Sequence, residues 1–186
     1  MINRDDYLIE LPNLKIDQKD INKLVKMVDD LSDYWIEYVP DIKVPGYPKL
    51  GDTYYSPSFN WGCWLKYPGI LEHPLVKEWI SRLPAGLNIT NSSVMKSKPW
   101  FELTPHQDTR DASFLIVLTP NPAPVYFLDG EDELVIEHTY TCPTIINTHI
   151  THGVNNFSDF DRITFQLGIT QPWEEIVKIL KDSALT

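Results

Sequence analysis

The spacing of hydrophobic positions changes once along this chain, near residue 85. Before that point, Ile21, Leu24, Val25, Val28, Leu31 and Trp35 recur at helical intervals. They predict an amphipathic helix capped by Asp17 and finished before Pro40. A shorter helix is predicted over 74–83, opened by Pro74 and closed by Pro84 and Gly86. The stretch 39–74 between them is dense in Pro, Gly and aromatics (Tyr54, Tyr55, Phe59, Trp61, Trp64, Tyr67) without a sustained period. It reads as a long ordered loop with one short strand. Beyond residue 85, segments 87–96, 113–119, 125–128, 134–137, 144–148 and 162–169 are rich in β-branched and aromatic residues and are separated by turn formers. These predict strands. Pro172 then opens a last helix with Trp173, Ile176, Val177 and Leu180 on one face.

No helical pattern alternates with the strands, so a parallel βαβ sheet is the poorer reading. The predicted class is mainly β with flanking helices, a jelly roll of two antiparallel sheets. A single domain is expected: residues 1–84 as helices and aromatic loop packed on the barrel, 85–170 as the jelly-roll core, and 171–186 as a terminal helix.

Composition narrows the function. A chain of 186 residues that is 42% hydrophobic and 23% charged has enough apolar material for a core. Its formal net charge of -10 argues against a nucleic-acid partner, whose phosphates demand Lys and Arg on one surface. Cys63 and Cys142 stand far apart, so neither a disulfide framework nor a cysteine zinc site is suggested. With no signal-peptide order at the N-terminus and no long apolar span, a cytoplasmic protein without a membrane partner is expected.

The chemistry lies in three separated places. His106-Gln107-Asp108 places two metal-ligating side chains on one face if the stretch is extended. With five histidines and 26 acidic residues in the chain, that triplet is weak by itself. His149 and His152 offer a third ligand. Residues three apart on an extended chain face opposite ways, so at most one of them joins the triplet. His152 is preferred because Gly153 beside it permits close approach of the backbone to a ligand. Ten positions on, Arg162 and Thr164 share a strand face suited to a carboxylate. An ordinary pairing of Arg162 with Asp159 or Asp161 is the alternative.

Together, His106-Gln107-Asp108, the run His152-Gly153-Val154-Asn155-Asn156 and Asp161-Arg162-Ile163-Thr164 resemble the H-x-D, distal His and R-x-S/T elements of the Fe(II)/2-oxoglutarate-dependent dioxygenases. That superfamily has a double-stranded β-helix fold and includes prolyl and aspartyl/asparaginyl hydroxylase-like members. The resemblance covers roughly residues 87–169 and identifies no subfamily. It implies Fe(II) held by His106, Asp108 and His152, with 2-oxoglutarate bound to Arg162 and Thr164. It further implies O2 as oxidant, release of succinate and CO2, and hydroxylation of an amino-acid, peptidyl or small-metabolite substrate. Tyr126 is a further candidate for the cosubstrate, and Arg110 and Trp100 are weaker candidates for the substrate. His138 is expected at the surface, and the aromatic loop is a candidate lid. Two other readings share the fold: a cupin-like metal enzyme without 2-oxoglutarate, and a non-catalytic jelly-roll binding module.

Overall fold

Helix α1 (Gln18–Asp30) buries Leu24 and Val28, the centre of its apolar stripe. Asp17 stands at its N-cap, but the side chain makes no capping bond. The first turn is held by the Asp17 carbonyl, which accepts from the amides of Asp20 and Ile21 at 2.9 and 3.1 Å. Trp35, at helical spacing, does not extend the helix: it opens strand β2 (Trp35–Glu37), paired with Leu65 of β3 (Gly62–Leu65). Sheet pairing outweighs local periodicity there. Helix α2 (Pro74–Ser81) begins with Pro74 at its first turn and is capped by His73, whose Nδ1 accepts from the Leu75 amide.

This computed structural model describes residues 3–31, 35–37, 62–65, 70–120 and 123–186. Tyr54, Tyr55, Phe59, Trp61 and Tyr67 of the aromatic stretch lie outside the described residues. The remaining elements are β1 (Leu8–Glu10), β4 (Ile89–Ser97), β5 (Phe101–His106), β6 (Ala112–Val117), β7 (Val125–Leu128), β8 (Leu134–His138), β9 (Thr144–Asn147), β10 (His152–Asn156), β11 (Arg162–Ile169) and α3 (Trp173–Lys181). They form a seven-stranded sheet in the order β1-β9-β6-β11-β4-β3-β2 and a four-stranded sheet β5-β10-β7-β8, with every pairing antiparallel.

Strands β1, β5 and β10 escape the sequence pattern. Strand β5 contains Pro105, which an edge strand tolerates, and it is the edge of the small sheet. Apart from Val154, strand β10 is built of His, Gly and Asn, poor strand formers that extend because β5 and β7 flank them.

Strand β11 organises the interior, with all eight residues buried. Ile163, Phe165, Leu167 and Ile169 join the core under the helices, with Leu24, Val28, Trp79, Ile176 and Leu180. Trp79 meets Phe165 edge-on at 5.7 Å between centroids. Arg162, Thr164, Gln166 and Gly168 alternate onto the other face, toward the small sheet. A second core of Leu8, Leu115, Val125, Phe127, Tyr140, Ile146 and Val154 joins the two sheets. The result is a jelly roll with apolar packing outside the large sheet and a mixed polar interior between the sheets. Among the described residues, no helix is long and apolar enough to cross a membrane.

Candidate metal centre

Strands β5 and β10 pair so that His106 lies directly opposite His152, with ring centroids 4.5 Å apart. Asp108 reaches them from beyond the end of β5, in the loop before β6, and not from an extended strand. Thr148 sets that loop. Its carbonyl accepts from the Asp108 amide at 2.9 Å, its amide donates to the Asp111 carbonyl at 3.2 Å, and its hydroxyl donates to the Arg110 carbonyl at 2.7 Å. The ligand atoms of His106, Asp108 and His152 all lie within 4.8 Å of one another. Two imidazoles and one carboxylate on one side of a point are a donor set suited to Fe(II) with open positions opposite.

Electrostatics prepares the cluster for a cation. Burial first, and then His106, hold His152 down from its ordinary 6.5 to about 4, so its imidazole is neutral near pH 7. Its Nδ1 donates to the Ile150 carbonyl at 2.8 Å, which leaves the Nε2 lone pair for the cluster. Burial works to raise the Asp108 carboxyl, but the charges of Arg110, His152 and His106 hold it below its ordinary value. Arg110 bonds to Asp108 Oδ2 through Nε at 2.8 Å and Nη2 at 2.7 Å, while Oδ1 faces His106 Nε2 at 3.6 Å.

Arg162 lines the same cavity as His106, Asp108 and His152. It is 2% exposed, its Nε donates to the Ala123 carbonyl at 3.3 Å, and its guanidinium lies over the Tyr140 ring at 5.6 Å. No carboxylate among the described residues pairs with it. Asp161 faces Lys96, and Asp159 accepts from Trp100 Nε1. On the same face, Thr164 is buried with no partner for its hydroxyl among the described residues. Tyr140 is a cavity residue that no sequence pattern announced. Burial pushes its phenol up to about 12 against the pull of Arg162.

Several other candidates lie elsewhere. Tyr126 sits opposite Gly153, on the face of the small sheet that points away from His152 and Val154; a Cβ at Gly153 would come within 2.4 Å of its ring. The glycine thus accommodates Tyr126 and the Leu103 carbonyl, not a ligand. Trp100 is 54% exposed before the start of β5, and His106 ends that strand six residues on, roughly 20 Å away at strand rise. His149 is exposed and bonded to Asp111 at 2.7 Å, which leaves Arg110 paired with Asp108. His138, expected at the surface, is only 4% exposed: Arg4 donates to its Nδ1 at 2.8 Å and Tyr140 stacks edge-on against it. The Tyr140 ring and the Arg4 side chain cover it.

No family model matches the chain, and no curated protein sequence does. Solved structures do. The α-ketoglutarate-dependent epimerase SnoN from nogalamycin biosynthesis is 11% identical, with 90% of this chain and 79% of that one covered at a TM-score of 0.57. A prolyl hydroxylase from Trichoplax adhaerens, in complex with a hypoxia-inducible-factor peptide, is 13% identical over 96% of this chain and 88% of its own, also at 0.57. A Pseudomonas putida prolyl-4-hydroxylase is 10% identical over 88% and 91%, at 0.53. At such identities the likeness is one of architecture, and the chain has the double-stranded β-helix, or jelly-roll, fold that these oxygenase structures share.

Proposed function

We propose that this chain is a non-haem Fe(II)- and 2-oxoglutarate-dependent dioxygenase that hydroxylates an amino-acid, peptidyl or small-metabolite substrate with release of succinate and CO2. Arg162 carries the reading: a guanidinium buried without a carboxylate partner among the described residues, in the cavity that also holds His106, Asp108 and His152. A buried unpaired cation is costly, and a dicarboxylate anchored there relieves it while presenting its other end to the metal.

When bound, iron and cosubstrate supply the activation of O2. The chain does the rest. Arg162 and Thr164 fix the far carboxylate in place. The His152 bond to Ile150 leaves Nε2 free to hold a metal, and Arg110 engages Asp108 Oδ2, so that Oδ1 would be the oxygen offered to it. Leu103, Leu115, Ile146 and Val154 line the cavity and exclude water. Of the similarly folded structures named above, SnoN comes from nogalamycin biosynthesis and the Trichoplax adhaerens hydroxylase holds a peptide, in keeping with small-molecule or peptidyl substrates.

Anaerobic protein with Fe(II) and 2-oxoglutarate should develop a metal-to-ligand absorption band and, in air with ascorbate, form succinate slowly. Absence of both with iron bound overturns the reading. Arg162→Ala should weaken 2-oxoglutarate binding by about 3 kcal/mol, on the order of a hundredfold, while iron is retained. A metal enzyme that does not use 2-oxoglutarate would give iron and no band in the parent protein.

A further inference from the structure

Besides the metal ligands and Arg162, one wall of the cavity is lined with unused hydrogen-bond donors. Arg110 commits Nε and Nη2 to Asp108 and Gln166 Oε1, and its Nη1 has no partner among the described residues. Gln166 is 7% exposed; because Oε1 accepts from Arg110 at 3.2 Å, the amide is oriented with Nε2 turned away, and that nitrogen also has no partner among the described residues. Ser113, 1% exposed, lines the same cavity with an unpartnered hydroxyl. It lies on β6 opposite Gly168, two positions from the Leu115 that faces Gln166. Asn91 folds its amide over Gly168 at the same end, where a Cβ would meet its Oδ1 at 2.3 Å.

We infer that Arg110, Gln166 and Ser113 form a second carboxylate subsite, so that the substrate is a small molecule bearing its own carboxylate. This inference rests on the oxygenase reading. Charge supports it. Among the described residues, the Asp, Glu, Lys and Arg side chains lining the cavity are Asp108, Arg110 and Arg162, which sum to +1. Fe(II) adds two positive charges and 2-oxoglutarate removes two, so these groups with metal and cosubstrate still carry one uncompensated positive charge. One carboxylate neutralises it, whereas an amide or amine leaves it buried. The two groups occupy separate positions on one strand face: Gln166 follows Arg162 by four residues on β11, about 13 Å between Cα atoms at strand rise, with Thr164 between them.

The test compares N-acetyl L-amino acids and simple hydroxy acids, each carrying one net negative charge, with their primary amides as stimulators of succinate formation by the iron-loaded protein, and scores 2-oxoglutarate binding separately by the anaerobic band. At least one acid should stimulate, and its amide should do so about tenfold less or worse, the order expected for one charge-assisted hydrogen bond. Gln166→Met, which leaves the Asp108 contact of Arg110 in place, should raise the apparent KM for that acid more than it raises the 2-oxoglutarate requirement. Arg110→Gln should collapse the acid-to-amide ratio. A band with no stimulation by any acid, or equal stimulation by acids and amides, overturns the inference and leaves the oxygenase reading standing. A Gln166→Met protein that loses 2-oxoglutarate affinity with its acid preference intact assigns the subsite to the cosubstrate and also overturns it. Absence of the band overturns both.

Discussion

His152 is the residue whose protonation the fold opposes most. Its value falls from 6.5 to about 4, chiefly by burial. Between pH 6.5 and about 4 the unfolded chain binds this proton and the folded protein does not. The contribution of His152 to stability is therefore complete above 6.5 and is lost as pH falls through about 4. The loss amounts to about 3 kcal/mol across that window. Chemical denaturation of metal-free protein between pH 7 and 4 should show it, and His152→Gln should flatten that part of the profile; an unchanged slope would mean that His152 is not the titrating group. At this scale much of the candidate site is legible. The triplet is weak by itself, but in conjunction with His152 and with Arg162 ten positions beyond it His106 and Asp108 stand out, and alternation puts Gln166 on the face of Arg162. Tyr140 and Ser113 are not legible, because a loop returning over the barrel and a cross-strand register bring them in, and neither leaves a local periodicity.

Among the elements, β10 carries the most constraint for its length. It lies between β5 and β7 and presents His152, and its Gly153 has no room for a side chain: a Cβ would stand 2.4 Å from the Tyr126 ring and 2.7 Å from the Leu103 carbonyl. The ring can turn aside, but the backbone oxygen belongs to the strand that bears His106. Gly153→Ala should cost about 1–3 kcal/mol in denaturant unfolding and weaken iron binding by displacing the two histidines relative to each other. Unaltered stability and iron affinity would show that the strands separate freely there. The same element marks the limit of pattern reading. Long strands with an apolar face, such as β6 and β11, are announced by their composition, whereas β10 is extended only through its neighbours. Trp35 illustrates the converse, a residue at helical spacing that the sheet takes instead.

For the whole molecule, Arg162 sets stability against binding. Burial of a guanidinium without a carboxylate partner among the described residues is a cost to the folded state in the absence of ligand, and burial holds its pKa below the ordinary value. Arg162→Met should therefore unfold at equal or higher temperature than the parent when neither carries 2-oxoglutarate. Addition of 2-oxoglutarate and metal should stabilise the parent and leave the variant without the cosubstrate's increment. A variant destabilised by several kcal/mol would show that the contacts to Ala123 and Tyr140 already satisfy the arginine. The overall architecture is legible from the run of short strands and the three helices, while the pairing order, which brings residues 106 and 152 together, is a property of the assembled sheets. The three hydrogen bonds of Thr148 bear on this assembly in another way. They order the Asp108 loop during folding, so the carboxylate is aligned before any ion arrives. Its conformational entropy is therefore not subtracted from metal affinity, and the centre is preorganised by a threonine that coordinates nothing.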